Sequence, residues 1–312
     1  MGYLVGLVGA GVGTSLSPPL HEAEAAAHGL RYLYRVLDLD ELGVAPAAVG
    51  EVVRAARLCG YDGLNVTHPV KQLVLDHLDD LSPDAAALGA VNTVVFTGGR
   101  AVGHNTDLTG FSRAVRTGLP GAAMDRVVLL GAGGAGAAVG HALLSLGAGV
   151  VRVFDVDHAR SGRLVASLED RFGAGRAAVG GPADLADADG LVHATPTGMV
   201  GHPGMPVPVS SLRRDLWVAD IVYRPLETEL VRAARAAGCR VLDGGRMVVF
   251  QAADTFRIVT GREPDADRML RHFGALVGIS PRRGGDGAGP GQGVRGGQAR
   301  VGLPLRADDQ LG

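Results

Sequence analysis

The chain has 312 residues, 46% of them hydrophobic, and a formal net charge of −2, which together favour a globular protein of two domains. It lacks the basic bias of a nucleic-acid binder, and no apolar run approaches the roughly 20 residues that span a bilayer. Because residues 1–12 also lack a cationic segment and a cleavage site, we expect a cytoplasmic protein that binds neither nucleic acid nor a membrane.

Cysteine and histidine spacing argues against disulfides and metals. Cys59 and Cys239 lie far apart in Ala-rich, helix-like surroundings, so we expect two buried free thiols rather than a disulfide or a CxxC site. The ten histidines show no ligand spacing such as HExxH, and we therefore expect no metal site.

Strands and helices alternate through the first hundred residues, which is typical of an α/β fold with a mostly parallel sheet. The predicted strands cover residues 3–8, 32–39 and 63–67, with extended segments at 90–96 and 102–107, and the predicted helices cover 18–30, 47–58, 71–78 and 108–115. A glycine-rich stretch follows the first strand, but Thr14 stands where a dinucleotide turn needs its third glycine. We therefore expect this first loop to have another role.

Polar side chains cluster where these strands end, and ligands of open α/β sheets bind beyond the carboxyl ends of the strands. They are Ser15, Ser17, Asn65, Thr67, Lys71, Asn92 and Asp107. If their loop is extended, Ser15 and Ser17 project to one side and could hold a carboxylate; alternatively, Ser17 only caps the helix that starts at Pro18. Taken singly, Asp107 would more often be a helix N-cap and Lys71 a solvated helix residue, whereas the set as a whole suits a polyol ligand.

A strand, a glycine turn, a helix and a second strand follow residue 124. An apolar run at 127–130 leads into GxGxxG at Gly131, Gly133 and Gly136, then into an Ala-rich helix and a strand that ends at Asp155. This order is typical of a dinucleotide site, where the glycines let a pyrophosphate approach the helix N-terminus. Asp155 would accept hydrogen bonds from the adenosine ribose; the alternative is a solvated residue of an ordinary βαβ unit.

Further strands are predicted at 190–194, 217–222 and 240–242, and helices at 247–260 and 265–276. We therefore predict a two-domain α/β protein with a cleft between the domains. Residues 1–108 form a mostly parallel substrate-binding and catalytic domain that helices within 247–279 complete, and residues 109–246 form a Rossmann domain. Because residues 280–312 are rich in Gly, Arg, Pro, Asp and Gln, we expect a disordered tail there.

The motifs of the chain, taken in order, resemble those of the shikimate dehydrogenase family from about residue 4 to 277. Its members reversibly oxidise the C3 hydroxyl of shikimate or quinate with a nicotinamide cofactor. The motifs are SxSP at 15–18, NVTxPxK at 65–71, GAVNT at 89–93, GxNTD at 103–107, GAGGAG at 131–136, ATPTGM at 194–199, and Tyr223 within DIVYRPLET.

The resemblance implies that Lys71 and Asp107 are the catalytic pair. The substrate contacts that it implies are Ser15, Ser17, Thr67, Asn92, Tyr223 and Gln251, to which the strand-end pattern adds Asn65. The cofactor contacts predicted around the glycine turn and the next strand end are Gly131, Gly133, Gly134, Ala135, Gly136, Asp155 and Arg160. The resemblance adds Thr195, Val222 and Gly245 on the nicotinamide side.

Three residues depart from the usual family pattern. His193 stands where an asparagine is usual, Arg246 where biosynthetic members usually have glycine, and Asp155 replaces the Asn-Arg-Thr type of sequence that receives a 2′-phosphate. The last two departures resemble NAD-using quinate/shikimate dehydrogenases of actinobacterial type. Because a 2′-phosphate would face the Asp155 carboxylate, we expect NAD rather than NADP, although Arg160 and Arg163 could compensate.

Oxidation of an alcohol requires a general base, for which Lys71 is the candidate. A neighbouring carboxylate stabilises a charged lysine, so Asp107 would orient the ammonium and bond substrate hydroxyls. Closure of the cleft and the positive charge of the nicotinamide would instead disfavour the charged form of Lys71. Two alternatives stay open: a dehydrogenase of an amino-shikimate or amino-quinate analogue in secondary metabolism, and a non-catalytic sensor of NAD or a cyclitol. The sequence also leaves monomer and homodimer open.

Overall fold

Two six-stranded sheets organise residues 2–278, the part of the chain that a computed structural model describes. The first sheet comprises β1 (Gly2–Gly9), β2 (Arg31–Asp38), β3 (Gly63–Val66), β4 (Asp80–Leu81), β5 (Thr93–Thr97) and β6 (Arg100–His104). Their spatial order is β2-β1-β3-β5-β6-β4. The β1–β2 and β1–β3 pairs are parallel, as expected, and so is the β4–β6 pair, although β4 was not predicted. Strand β5 runs antiparallel to both of its neighbours, β3 and β6.

The helices of this half are α1 (Ser17–Ala27), α2 (Leu39–Leu42), α3 (Val49–Leu58), α4 (Pro83–Leu88) and α5 (Thr106–Gly118). The predicted helix over residues 71–78 is wrong, since this segment holds turns and a short 3₁₀ helix, Leu75–His77. The Lys71 carbonyl accepts the Val91 N–H at 2.9 Å, and the Leu75 N–H bonds Gln72 instead of Lys71. Lys71 is therefore held in a turn against the chain that leads into β5.

The second sheet is entirely parallel. It comprises β7 (Arg126–Leu130), β8 (Val150–Phe154), β9 (Ala177–Val179), β10 (Gly190–His193), β11 (Trp217–Asp220) and β12 (Arg240–Leu242) in the order β12-β11-β10-β7-β8-β9. That order is typical of a Rossmann sheet, with the switch point beside β7. Its crossover helices include α6 (Gly134–Ser145), α7 (His158–Phe172) and α8 (Glu229–Ala236). The predicted α/β class with two sheets is confirmed; β9, which has only three residues, was not predicted.

Two final helices, α9 (Gly245–Thr260) and α10 (Ala266–Leu276), return to the first half of the chain. Leu20 of α1 is fully buried in a cluster with Val249 of α9 and Met269 of α10. The buried Glu24 carboxylate on α1 also accepts a 2.6 Å hydrogen bond from Arg268 on α10. These contacts bring one face of α9 to the carboxyl edge of the first sheet.

The cysteine prediction holds for one residue only. Cys239 is buried, but Cys59 is exposed because it caps the end of α3, where the chain turns into Gly60. Among residues 2–278, no group of histidine, cysteine, aspartate and glutamate side chains could hold a metal ion, and no helix is long and apolar enough to cross a membrane. The predicted tail, 280–312, lies outside the described residues.

Candidate active site

Lys71 and Asp107 form an ion pair at the carboxyl edge of the first sheet. Lys71 Nζ donates to Asp107 Oδ2 at 2.6 Å, and the two side chains are only 18% and 9% exposed. Asp107 is not the N-cap of α5, because the Asn105 side chain takes that position and accepts the Asp107 and Leu108 N–H groups. The Asp107 carboxylate is therefore available to Lys71, and neither residue is a solvated helix position.

Asn92 holds the second oxygen of this carboxylate. Its Nδ2 lies 3.0 Å from Asp107 Oδ1 and 2.9 Å from the Thr106 hydroxyl, while its Oδ1 accepts the Thr106 N–H at 2.8 Å. Asn92 lies before β5 and not at the end of a strand, which corrects the prediction. Because β5 is antiparallel to β3, its start lies at the same edge of the sheet as the end of β3.

Asn65 is part of β3 itself and is buried against protein groups. Its Oδ1 accepts the Tyr34 hydroxyl at 2.6 Å, and its Nδ2 lies 3.3 Å from the Asn92 carbonyl and from two threonine hydroxyls. Burial raises the pKa of the Tyr34 phenol well above its ordinary value, and a hydrogen bond with Ser17 offsets only part of that rise. Tyr34 is therefore a permanent donor to Asn65.

The loop that carries Ser15 and Ser17 is not extended. Leu16 has helical backbone angles and occupies the N-cap of α1, where no side chain caps the helix, and Ser17 is the first helical residue. Ser15 Oγ accepts the Ser17 N–H at 3.2 Å. The extended pair of serines and the capping role of Ser17 are therefore both wrong as predictions. The two serines remain close together, because Ser15 Oγ bonds the Ser17 N–H.

An internal carboxylate fills the first glycine-rich loop. Asp38, at the end of β2, accepts the N–H groups of Gly11, Val12 and Gly13 at 2.7 to 3.1 Å, as well as that of Asp40. Burial alone would raise the pKa of Asp38, but these backbone bonds outweigh it and hold the pKa below its usual value. This loop resembles an anion-binding turn, but the anion that it binds is the protein's own Asp38 carboxylate. The bonds to Asp38 fix the backbone of the loop that leads to Ser15.

Thr67 and Gln251 reach the same edge from two elements, whereas Tyr223 packs against the cluster of α1, α9 and α10 residues around Leu20. Thr67 follows β3, with its N–H bonded to the Val8 carbonyl at 2.9 Å. Gln251 Oε1 on α9 lies 3.5 Å from the Thr106 hydroxyl. Tyr223 follows β11, and burial raises the pKa of its phenol, so this hydroxyl stays protonated and can donate a hydrogen bond.

The second glycine turn has the shape that a pyrophosphate requires. Gly131 has a φ of +101°, and a Cβ there would lie 2.5 Å from the Ala194 carbonyl oxygen, while a Cβ on Gly136 would lie 2.0 Å from that of Gly131. A Cβ built on Gly133, in contrast, would have no atom within 4 Å. The first and third glycines are therefore required by packing, and the second leaves room for a ligand at the N-terminus of α6.

Lys71 lies against this turn. A Cβ built on Gly134 would lie 3.7 Å from Lys71 Cδ. The lysine of the first half and the glycine turn of the second half therefore meet at one place, with Ala135 following in the first turn of α6.

Asp155 is 9% exposed, so the interpretation as a solvated loop residue is wrong. Its Oδ2 accepts the Ala132 N–H of the glycine turn at 2.8 Å, and its Oδ1 accepts the Asp157 N–H at 2.9 Å. Each carboxylate oxygen retains a second acceptor position for a hydroxyl. Asp157 caps α7 and forms an exposed ion pair with Arg160 at 3.3 Å.

His193, the residue that stands in place of the usual asparagine, is completely buried. Its Nδ1 lies 2.9 Å from Asp220 Oδ1, and its Nε2 lies 2.5 Å from Thr195 Oγ1. Asp220 also accepts the Val222 N–H at 3.0 Å. His193 thus contacts Thr195 directly and is linked to Val222 through Asp220. Gly244, the residue before Gly245, packs closely on Val222, since a Cβ on Gly244 would lie 2.5 Å from the Val222 carbonyl oxygen.

Several residues that hold the site were not predicted. They are Tyr34, Asp38, Thr93, Asn105, Thr106, Asp220 and Thr255. Thr93, Asn105 and Thr106 belong to the GAVNT and GxNTD motifs, which could have identified them. Thr255 and Tyr34 carry no local signal, because their partners are distant in sequence.

Comparisons with known proteins point to one family. Residues 7–94 match the family model described as the shikimate dehydrogenase substrate binding domain. A Streptomyces avermitilis protein named shikimate dehydrogenase (NADP(+)) is 62% identical over 285 residues, which cover 90% of this chain and 98% of that protein. A Corynebacterium efficiens protein named quinate/shikimate dehydrogenase (NAD(+)) is 46% identical over 88% of this chain and 98% of its own length.

A solved structure shares the architecture. It is the quinate dehydrogenase from Corynebacterium glutamicum in complex with NAD, which has 44% sequence identity to this chain and a TM-score of 0.83. The match covers 88% of this chain and 99% of that one.

Proposed function

This chain belongs to the shikimate dehydrogenase family of oxidoreductases, and from that premise we propose that it reversibly oxidises the C3 hydroxyl of shikimate, quinate or both. The products would be 3-dehydroshikimate and 3-dehydroquinate. The observation that carries the proposal is the Lys71–Asp107 pair, joined at 2.6 Å and lying against Gly134 of the dinucleotide turn. A polyol beside Lys71 would therefore also be beside a bound cofactor.

The chemistry requires removal of a hydride from the carbinol carbon and of a proton from its hydroxyl. When bound, the oxidised nicotinamide supplies the hydride acceptor. Neutral Lys71 Nζ takes the hydroxyl proton, and charged Lys71 returns it in the reverse direction. Asp107 accepts the Lys71 hydrogen bond at 2.6 Å and thereby orients Nζ toward the substrate hydroxyl.

Asp107 would also receive a hydrogen bond from a substrate hydroxyl. Asn92 holds Oδ1 of this carboxylate and Lys71 holds Oδ2, yet each oxygen has a further lone pair. The remaining contacts would come from Ser15, Ser17, Asn65, Thr67, Asn92, Tyr223 and Gln251. Of these, Tyr223 offers a protonated donor, whereas the Asn65 and Asn92 amides are already bonded within the protein and would mainly support their neighbours.

The residues of the second half fit a nicotinamide dinucleotide. The open face at Gly133 and the N-terminus of α6 would receive the pyrophosphate, with Gly131, Gly134, Ala135 and Gly136 forming the turn around it. Asp155 would bond the adenosine ribose, and Thr195, Val222 and Gly245 would lie on the nicotinamide side. Within the family, relatives of this chain carry names that specify either NADP or NAD.

We propose NAD as the preferred cofactor. Asp155 and Asp157 place two carboxylates within three residues just after β8. Arg160, the cation expected to compensate for a 2′-phosphate, is paired with Asp157. The 62% identical relative is named for NADP, so the proposal depends on these local charges rather than on overall identity.

The domain limits, the location and the assembly of the protein are also proposals. We infer a catalytic domain of residues 1–108 completed by helices within 247–279, a cofactor domain of residues 109–246, a cytoplasmic location, and a monomer or homodimer. The aminated-substrate dehydrogenase and the non-catalytic sensor remain the alternatives. The sensor is disfavoured by the Lys71–Asp107 contact, which binding alone does not require.

The experiment is a comparison of kcat/KM for shikimate and quinate with NAD and NADP, followed as NADH or NADPH absorbance at 340 nm. Turnover of either polyol supports the proposal. Binding without any change in absorbance would favour the sensor, and turnover restricted to an aminated analogue would favour the other alternative.

A further inference from the structure

One hydroxyl on α9 bonds three of the groups that surround the candidate site. Thr255 is fully buried, and its Oγ1 lies 2.9 Å from the Thr93 hydroxyl, 3.2 Å from the Thr106 hydroxyl and 3.3 Å from Asn65 Nδ2. A threonine hydroxyl has one donor and two acceptor positions. These three bonds therefore use its full capacity.

The three partners lead directly to the ion pair. The Thr93 and Thr106 hydroxyls lie 3.1 and 3.3 Å from Asn92 Oδ1. Asn92 in turn bonds Asp107, whose other oxygen holds Lys71. Two short routes, through Thr93 and through Thr106, thus connect Thr255 to the amide that fixes the Asp107 carboxylate.

The position of Thr255 on α9 gives this network a separate support. Gln251, one turn earlier, also approaches the Thr106 hydroxyl, and α9 packs so tightly on α5 that a Cβ on Gly110 would lie 2.8 Å from the Gln251 backbone nitrogen. The first sheet supplies Asn65 and Thr93, the chain just before β5 supplies Asn92, and α5 supplies Thr106 and Asp107. Thr255 ties both elements to α9.

We propose that Thr255 is a positioning residue: its hydroxyl fixes Asn92, and through it Asp107 and Lys71, in the geometry that the reaction needs. The proposal rests on the proposed function for its kinetic consequence, but not for its structural one. Valine has nearly the shape of threonine without the hydroxyl, so Thr255→Val leaves three buried polar groups short of a partner. Serine retains the hydroxyl, so Thr255→Ser should restore the network.

Thr260→Val is the matched control. Thr260 lies near the end of the same helix, is also buried, and its hydroxyl bonds the Phe256 carbonyl at 2.7 Å and the Arg262 N–H at 3.1 Å, away from Asn92. Loss of a buried hydroxyl from α9 is thus common to both valine variants. Only Thr255→Val should affect the site.

The kinetic test measures kcat, the KM for NAD and the KM for the polyol. It compares wild type with Thr255→Val, Thr255→Ser and Thr260→Val. We expect Thr255→Val to lower kcat for polyol oxidation by about 10-fold to 100-fold, since small misplacements of catalytic groups have effects of that order. The KM for NAD should be unchanged, Thr255→Ser should recover most of kcat, and Thr260→Val should resemble wild type. A kcat loss equal in both valine variants, or an equal rise in both KM values, would overturn the proposal.

A second readout does not depend on turnover. In ¹H–¹⁵N spectra, the Asn92 side-chain amide protons should exchange slowly with solvent in wild type, Thr255→Ser and Thr260→Val, and much faster in Thr255→Val. Unchanged protection in Thr255→Val would refute the positioning role. If wild type oxidised neither shikimate nor quinate, the proposed function would fail, and this exchange measurement alone would decide the role of Thr255.

Discussion

Cofactor preference can be tested by neutralising one buried carboxylate. Asp155→Asn removes the charge that a 2′-phosphate would face while keeping the shape of the side chain. The phosphate carries about −1.5 to −2 at neutral pH. At about 5 Å from a carboxylate, its repulsion is about 1 kcal/mol in a water-like dielectric and about 5 kcal/mol at an effective dielectric near 20.

The lower half of that range applies here, because a phosphate beside the exposed Asp157 and Arg160 side chains remains largely hydrated and screened. We therefore expect Asp155→Asn to shift the ratio of kcat/KM for NAD to that for NADP by about 10-fold to 50-fold toward NADP. The variant also weakens one of the two backbone bonds of Asp155. Some loss of activity with both cofactors is therefore expected, and the ratio is the informative quantity.

Asp157→Ser extends the test. Serine retains the capping function at the start of α7 and releases Arg160, so it should move the ratio by a further factor of about 2 to 5. Asp170→Asn, on the exposed surface of the same helix, is the control and should leave the ratio unchanged. A wild-type enzyme that prefers NADP, or a ratio that Asp155→Asn does not move, would refute the charge argument.

Three further results are expected. Because its backbone bonds lower the pKa of Asp38, its ionised form contributes stability that is present above the ordinary pKa of 3.8 and is lost as pH falls through the folded value. Urea unfolding should therefore show that Asp38→Asn loses less stability at acidic pH below 3.8 than at pH 7, and an equal loss at both would contradict this. In His193→Asn, the shorter asparagine side chain cannot contact both Asp220 and Thr195 as the imidazole does. The KM for NAD should therefore rise several-fold while the KM for the polyol stays constant. A rise in the KM for the polyol with a constant KM for NAD would exclude a cofactor-side role. Polyol oxidation should accelerate toward alkaline pH in stopped-flow measurements, because only a neutral Lys71 accepts a proton, and a rate that falls there would argue for a different base.

The sequence predicted the parts of the site that depend on local patterns. The strand, glycine turn and acid from Val127 to Asp155 appear as predicted, since the pattern of a buried parallel strand followed by glycines has few other solutions. Lys71 and Asp107 also meet as expected, because they follow β3 and β6, which run in the same direction on either side of β5 and therefore end at one edge of the first sheet. The family resemblance added Gln251, which no periodicity would have selected.

The errors arose where distant chain segments decide local structure. Residues 71–78 have helical composition, but the Lys71 carbonyl bonds Val91 across the sheet edge. Asp38 closes the first glycine loop from the end of a different strand, and Thr255 reaches Asn65 across 190 positions. The first two contacts join segments of the first sheet, and the third requires α9 to lie on that sheet in one particular register, which the residues around Thr255 do not encode.

The most direct test of the account compares Lys71→Ala with wild type in the oxidation of shikimate and quinate at saturating NAD. We expect kcat to fall by roughly 10²-fold or more, with little change in the KM for either polyol, because Lys71 moves the proton and the other polar groups hold the substrate. A Lys71→Ala variant that retains wild-type kcat would contradict the assignment of Lys71 as the general base and, with it, the proposed mechanism.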